Sequence, residues 1–241
     1  MDAAISLHHW IKEAQFAKKK ALSLFLDVKG GFDNVDHRKL VGVLAEAGEV
    51  PDYLTDWIQN LITTRNISLA DPGSPQREHK GDKGKPQGSQ LLPLLFVIYV
   101  KKLHSVANTP NEFFTRSYVD NFQITVGSNS WERNVWKLEE RAAEMIAIAQ
   151  SLGLSLSIAK TELMHWGTRR KKGPTSESSF TIQSHVVEPA GKVVRWLAYW
   201  LSDNEETTSH FTKRLTLAEG AFWRLLRLSL PGKGLSPYGA R

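Results

Sequence analysis

Two apolar runs of strand length each end at an aspartate, and any fold for this chain must seat both. The first covers residues 22–28, with Asp27 near its end and Lys29-Gly30-Gly31-Phe32-Asp33 behind it. The second covers residues 113–126, where Asp120-Asn121 divides 113–119 from 122–126. Short apolar runs bounded by turn residues read as strands. Asp and Asn tolerate the positive φ of a two-residue hairpin loop, so the second run reads as a hairpin turning at Asp120-Asn121. Each aspartate by itself is an ordinary turn residue. Two strand ends that bring one carboxylate each to a common point form a site for a divalent metal and a phosphate.

The remaining pattern mixes helices and strands without a βαβ rhythm, which favours an α+β fold. Residues 3–19 read as a short helix that turns basic at Lys18-Lys19-Lys20. Residues 37–47 carry Leu40, Val43, Leu44 and Ala47 at helical spacing and stop at Gly48. Pro51 and Asp52 open a second helix with Leu54, Trp57, Ile58, Leu61 and Ile62 on one face. Residues 71–89, rich in Gly, Pro, Lys and Gln, read as a loop, and 91–106 as a buried helix. Residues 131–152 repeat apolar side chains at helical spacing up to Gly153, and Leu154, Leu156 and Ile158 alternate as in a strand. Residues 162–166 continue the sheet pattern, 193–201 read as another strand, and 211–228 as a basic helix.

With 241 residues and 41% hydrophobic content, the chain can bury one large core or two modest ones. It has no cysteine, which excludes disulfides and thiolate zinc sites. The net charge of +6 suits a nucleic-acid partner without requiring one. The apolar run 91–100 contains Pro93 and is too short to span a bilayer. Residues 1–10 carry no basic stretch ahead of an apolar core, so no secretory signal is visible. The expectation is an intracellular protein, in the nucleus or cytoplasm, with no membrane partner. The basic run Arg169-Arg170-Lys171-Lys172 reads as a solvated loop or as a track for a nucleic-acid backbone.

Between the two aspartates lies Gly84-Lys85-Pro86-Gln87-Gly88-Ser89. Alone it is a polar turn, or a Gly-rich helix entry that brings backbone N–H groups near an anion. With it, five segments stand in order: LFLDVKGGFDNVDH, GKPQGSQLLPLLF, SYVDNFQITV, GLSLSIAKTELMHW and VRWLAYWL. They resemble palm motifs A to E of reverse transcriptases from non-LTR (LINE-type) retrotransposons, particularly fungal ones, and the resemblance runs from about residue 21 to 201.

The resemblance implies a right-hand polymerase palm, an α+β fold with a small antiparallel sheet packed on helices. Residues 1–201 would be the palm with partial fingers, and 202–241 the start of a thumb helix and a C-terminal tail. It also implies RNA-directed DNA polymerase activity on an RNA template, a DNA primer and dNTPs, by in-line nucleotidyl transfer. Asp27, Asp120 and the carbonyl of Val28 would hold two Mg2+ ions, with Mn2+ as an alternative. Phe32 matches the steric gate that collides with a ribose 2′-hydroxyl, and Gln87 and Gly88 would lie along the incoming nucleotide. Lys160 matches a lysine that donates a proton to pyrophosphate, and Trp196, Tyr199 and Trp200 match the primer-grip hairpin.

The chain departs from the family pattern at Asn121, where a second aspartate is usual, and at Lys85, Gln90 and Leu92 in the second segment. Ala198 stands where glycine is usual, so the tight backbone there is expected to be strained. Little sequence precedes Asp27, so the resemblance is to a truncated domain lacking the upstream fingers, with no endonuclease or ribonuclease H domain. Two readings stay open: a weak or inactive polymerase fragment, and a non-catalytic nucleic-acid-binding remnant of a retrotransposon. An RNA-dependent RNA polymerase palm is disfavoured by Phe32.

Overall fold

The computed structural model describes residues 2–48, 50–63, 66–69, 77–80, 91–107, 113–166, 180–190, 193–203 and 208–229. In chain order the elements are α1 (Asp2–Phe16), β1 (Lys20–Asp27), α2 (His37–Ala47), α3 (Asp52–Thr63), β2 (Asn66–Leu69) and β3 (Arg77–Lys80). Then come α4 (Leu92–Tyr99), α5 (Lys101–Ala107), β4 (Phe113–Tyr118), β5 (Asn121–Ser128), α6 (Trp131–Ser151) and β6 (Glu162–Trp166). The last are β7 (Phe180–Ile182), β8 (His185–Val187), β9 (Val193–Trp196), β10 (Tyr199–Ser202) and α7 (Thr208–Ser229).

The central sheet has the order β4-β5-β1-β6, and every neighbouring pair is antiparallel. Side chains alternate between its faces. On one face Leu22, Leu24 and Leu26 stand opposite Val126, Ile124 and Phe122, and Leu24 also opposite Leu163. Together with Leu40, Leu44, Phe96, Tyr99, Leu103, Leu138 and Met145 from the covering helices they form the main core. Truncating a ring such as that of Phe122, fully buried here, to alanine costs about 3–5 kcal/mol. On the other face Ala21, Phe25, Met164 and Trp166 pack under Leu7 and Ile11 of α1 and under Val194, Trp196 and Leu201 of β9 and β10. A sheet covered on both faces explains why β1 reads as a nearly unbroken apolar run.

The polar exceptions on this second face pair with one another, although Gln123 Oε1 has no partner among the described residues. Gln123 donates from Nε2 to the Thr125 hydroxyl, which shares a hydrogen bond with the Ser23 hydroxyl. Trp166 donates from Nε1 to Ser23 Oγ at 2.6 Å. Buried polar groups paired this way fix the strand register, because a one-residue slip would turn each of them to the wrong face. The ends of α2 fall where the sequence places them: Asp36 Oδ1 accepts from Lys39 N at 3.1 Å to cap it, and Gly48 closes it at φ 62°, a conformation open to glycine at no steric cost. The first helix, expected over 3–19, stops at Phe16, and Lys20 already opens β1.

Several expectations are corrected. The hairpin turns one residue earlier than read: Tyr118 pairs with Asn121, so the loop is Val119-Asp120 and Asn121 opens β5. Register fixes this, since Asn121 must stand opposite Asp27 for Phe122 to reach the core beside Leu26. Leu154, Leu156 and Ile158 do not form a strand. Leu156 makes an isolated bridge to Val28, and Ile158–Lys160 is a 3-10 turn, because Ser157 N must reach the Asp27 carbonyl at 2.8 Å.

The run 91–106 is two helices, α4 and α5, broken at Val100. The break lets Phe96 and Tyr99 on one side and Leu103 on the other all bury in the same core. Residues 193–201 are a hairpin, β9 and β10, turning at Leu197-Ala198, which lets Val194, Trp196 and Leu201 all face the sheet. Within the span read as a loop, β3 pairs with β2. The β7–β8 hairpin was not anticipated; its strands are too short to show periodicity. The segments holding Gln87 and Gly88, and Arg169 to Lys172, lie outside the described residues.

Candidate active site

β1 and β5 deliver the two aspartates to one end of the sheet. Asp27 ends β1 opposite Asn121, the residue after Asp120. Just beyond, Val28 N donates to the Asp120 carbonyl at 3.0 Å, while the Asp27 carbonyl accepts from Ser157 N at 2.8 Å and Lys29 N donates to the Ser155 carbonyl at 2.9 Å. The backbone carrying Asp27 is thus bonded on both flanks, which fixes where its carboxylate projects.

Side chains finish the arrangement. Lys160 Nζ donates to Asp27 Oδ2 at 2.7 Å, with the lysine side chain 68% exposed and the aspartate 15%. The hydrogen bond and charge of Asp27, with a further contribution from Asp120, hold the Lys160 ammonium above its ordinary pKa. Asn121 Nδ2 donates to Asp120 Oδ1 at 3.0 Å. The asparagine therefore orients Asp120 without adding charge.

The loop after β1 is shaped by close approach. A Cβ on Gly31 would sit 2.8 Å from Cζ of Phe96 and 3.4 Å from the Asp120 Cβ, so only glycine lets this loop lie against both. Phe32 follows, half-buried, its ring 5.0 Å from that of Phe96 and tilted by 41°. Phe96 thereby braces Phe32 as well as the Gly31 backbone. The Gly30 carbonyl accepts from Asp33 N and Asn34 N at 3.0 and 2.9 Å, closing the turn.

On the side of β9 and β10 the sheet end opens into a cleft of about 670 Å3, lined by Asp27, Asn121, Lys160, Glu162, Arg195 and the Leu197-Ala198 turn, among others. Burial raises the pKa of Glu162 above the usual carboxylate range. Arg195, Glu162 and the brace from Phe96 were not singled out from the sequence. Strand alternation signals the first two, once β6 and the β9–β10 hairpin are assigned, because both share the face of Asp27 or border it.

The donors fit a hard divalent cation. Asp27 and Asp120 lie at one end of the sheet, and the Lys160 ammonium, bonded to Asp27, feels the charge of both. Among the described residues no group of three or more His, Asp or Glu gathers as a ready metal cage.

A four-stranded antiparallel sheet on helices, with two aspartates at one end of the sheet and a hairpin-walled cleft beside them, is a polymerase palm-like fold. The chain belongs to the reverse transcriptase (RNA-dependent DNA polymerase) family, whose model matches residues 2–201. It is similar to the retrovirus-related Pol polyprotein from the type-1 retrotransposable element R2 of Popillia japonica, at 25% identity over 78% of this chain and 32% of that protein. It is also similar to a putative 115 kDa protein in the type-1 retrotransposable element R1DM of Drosophila melanogaster, at 27% identity over 93% of this chain and 21% of that protein. It is therefore a reverse transcriptase domain of the non-LTR, LINE type, and it spans about a third or less of the length of these relatives. Among solved structures, apo telomerase from Candida tropicalis truncated from its C-terminal domain shares the fold at TM-score 0.59 and 11% identity, over 84% of this chain and 38% of that one. Telomerase from Candida albicans in complex with a telomeric RNA fragment does so at TM-score 0.56 and 12% identity, over 82% and 32%.

Proposed function

We propose that this chain is the palm of an RNA-directed DNA polymerase that extends a DNA primer along an RNA template. Residues 1–201 form the palm with part of the fingers, and 202–241 begin the thumb. The observation that carries the reading is the placement of Asp27 and Asp120 at adjacent strand ends, tied by the bond from Val28 N to the Asp120 carbonyl. Asp27 and Asp120, with the Val28 carbonyl, are assigned to hold Mg2+, two ions in the complete complex, with Mn2+ as a substitute. When bound, the ions supply charge neutralisation at the attacking and leaving oxygens.

The chain's own groups do the rest. Lys160, bonded to Asp27 Oδ2 at 2.7 Å, would turn its ammonium to the leaving pyrophosphate as proton donor. Phe32, braced by Phe96, is rigid enough to exclude a 2′-hydroxyl and so selects dNTPs. Gln87 and Gly88 are assigned to the incoming nucleotide. Among the described residues no helix is long and apolar enough to cross a membrane, and we assign action in the nucleus or cytoplasm.

The test is extension of a DNA primer on an RNA template by the 241-residue chain with Mg2+ or Mn2+. Incorporation of dNTPs that disappears in Asp27→Ala supports the assignment. Asn121 in place of a carboxylate favours a second reading, a non-catalytic nucleic-acid-binding remnant. RNA binding that falls with salt and is unchanged in Asp27→Ala without metal, with no extension, selects that one.

A further inference from the structure

The hairpin that walls the cleft is strapped to α7. Arg214 Nη2 donates to the Ala198 carbonyl at 2.8 Å. Trp200 N donates to His210 Nδ1 at 3.2 Å, and the rings of Tyr199 and His210 stack at 4.1 Å with 16° between planes. Lys213 Nζ stands 5.5 Å from the centre of the Trp200 ring, which also takes Arg195 at 5.7 Å. His210, Lys213 and Arg214 are close neighbours near the start of α7, so one short helical segment makes all of these bonds to β10 and its turn. Farther along, Phe222, Trp223 and Leu225 of α7 are exposed.

The turn has an external support beside its own strand pair, Trp196 with Tyr199, and the packing of Leu197 on the second core. Leu197 and Ala198 have φ of 47° and 63°, a left-handed conformation that a Cβ disfavours. Strained backbone of this kind persists where its surroundings hold it, and here a guanidinium grips the carbonyl of the second strained residue. Both turn residues line the cleft that contains Asp27 and Lys160.

We infer that Arg214 and His210 are positioning residues that couple the docking of α7 to the shape of the cleft, so that a recessed primer end is gripped only while α7 holds the Leu197-Ala198 turn. The grip on a primer rests on the polymerase reading; the strap itself does not. The coupling makes α7 an arm whose displacement is transmitted to the cleft wall through two hydrogen bonds and a ring stack. Because Arg214 is exposed on α7, its removal leaves the buried cores intact.

The test uses the whole chain. In Arg214→Ala, hydrogen exchange of the amides in 193–202 is expected to rise about tenfold, the scale set by loss of one charge-assisted hydrogen bond, with β1 unchanged. Adding Ala198→Gly, which removes the strain, is expected to recover most of that protection. The affinity for a fluorescein-labelled DNA primer annealed to an RNA template, recessed at its 3′ end, is expected to fall about three- to tenfold in Arg214→Ala on the same basis, and to return in the double variant. Exchange in 193–202 that is unmoved by Arg214→Ala overturns the inference, as does lost protection that Ala198→Gly fails to rescue. Primer–template affinity that stays constant while hairpin protection is lost overturns it too. A wild-type chain with no affinity for the primer–template refutes the polymerase reading, and with it the grip on a primer, while the exchange data alone decide whether α7 holds the turn.

Discussion

The turn at Val119-Asp120 and the turn at Leu197-Ala198 both set non-glycine residues at positive φ, 57° at Val119 and 47° and 63° at the other pair. They are held by different means. The first is locked from within the sheet: β4 and β5 pair up to Tyr118 and Asn121, the Asp120 carbonyl takes Val28 N, and the Val119 side chain packs against the main core. The second also has a flanking strand pair, Trp196 with Tyr199, and its Leu197 side chain packs on the second core, but it has in addition a support from outside, Arg214 on α7. The end of β1 that carries Asp27 is thus fixed within the sheet, and the opposite wall of the cleft is tied in part to α7. A polymerase needs both properties, because metal geometry tolerates little error while a primer must slide after each addition.

The largest expected effect tests the rigid side. Asp27→Ala should reduce primer extension by about 1000-fold, or about 4 kcal/mol of transition-state stabilisation. Thermal unfolding should barely move, because the partner it loses is an exposed lysine whose ion pair contributes little. A large drop in melting temperature would instead make Asp27 a structural residue and break the contrast between the turns.

Next comes the seal behind that frame. His165 on β6 is buried and stacks on Trp131 of α6 at 4.9 Å, and among the described residues neither ring nitrogen has a partner. Burial lowers its pKa from 6.5 to about 4. The unfolded chain therefore binds a proton between these values that the folded chain refuses. Stability is full above about 6.5 and is lost as pH falls toward about 4, by about 3 kcal/mol in total. Denaturant unfolding across that range should show the slope in the wild type and a flatter line in His165→Leu; equal slopes would mean that this face of the sheet is open to water.

Asn121→Asp sharpens the comparison at the metal end. It replaces the amide that orients Asp120 with a charge beside two carboxylates, and should tighten Mn2+ binding by about 10–100-fold, measured by titration of the metal without substrate. No change would mean that the asparagine is already an adequate support. The smallest effect separates the turns directly. Ala198→Gly should stabilise the fold by about 1 kcal/mol, because only backbone strain is removed. Val119→Gly should gain less or nothing, since the packed side chain is lost with the strain. Equal gains in urea unfolding would show the two turns to be held alike.

Much of this was readable in advance, for a physical reason in each case. Asp27 and Asp120 stand near the ends of apolar runs whose strand pattern is strong, while Phe32 and Lys160 were singled out only by the resemblance of the ordered motifs. Helix ends at Asp36 and Gly48 follow from local hydrogen bonding and φ preference. The break at Val100 was not legible, because nothing local demands it; two helices must bury Phe96, Tyr99 and Leu103 in one core. The turn at Leu197-Ala198 was hidden from periodicity by aromatic residues that suit a continuous strand; only the resemblance implied a hairpin there and strain at Ala198, whose φ is 63°.

The sequence by itself determined which residues are apolar and that Asp27 and Asp120 lie near the ends of apolar runs, since these depend on neighbours along the chain. Only the tertiary structure decided where the hairpins turn, that Asn121 stands opposite Asp27, that Lys160 bonds Asp27, and that Arg214 reaches back to Ala198. Those outcomes depend on strand register and helix docking, which are set by how two cores close around one sheet, and no window of local sequence contains that information.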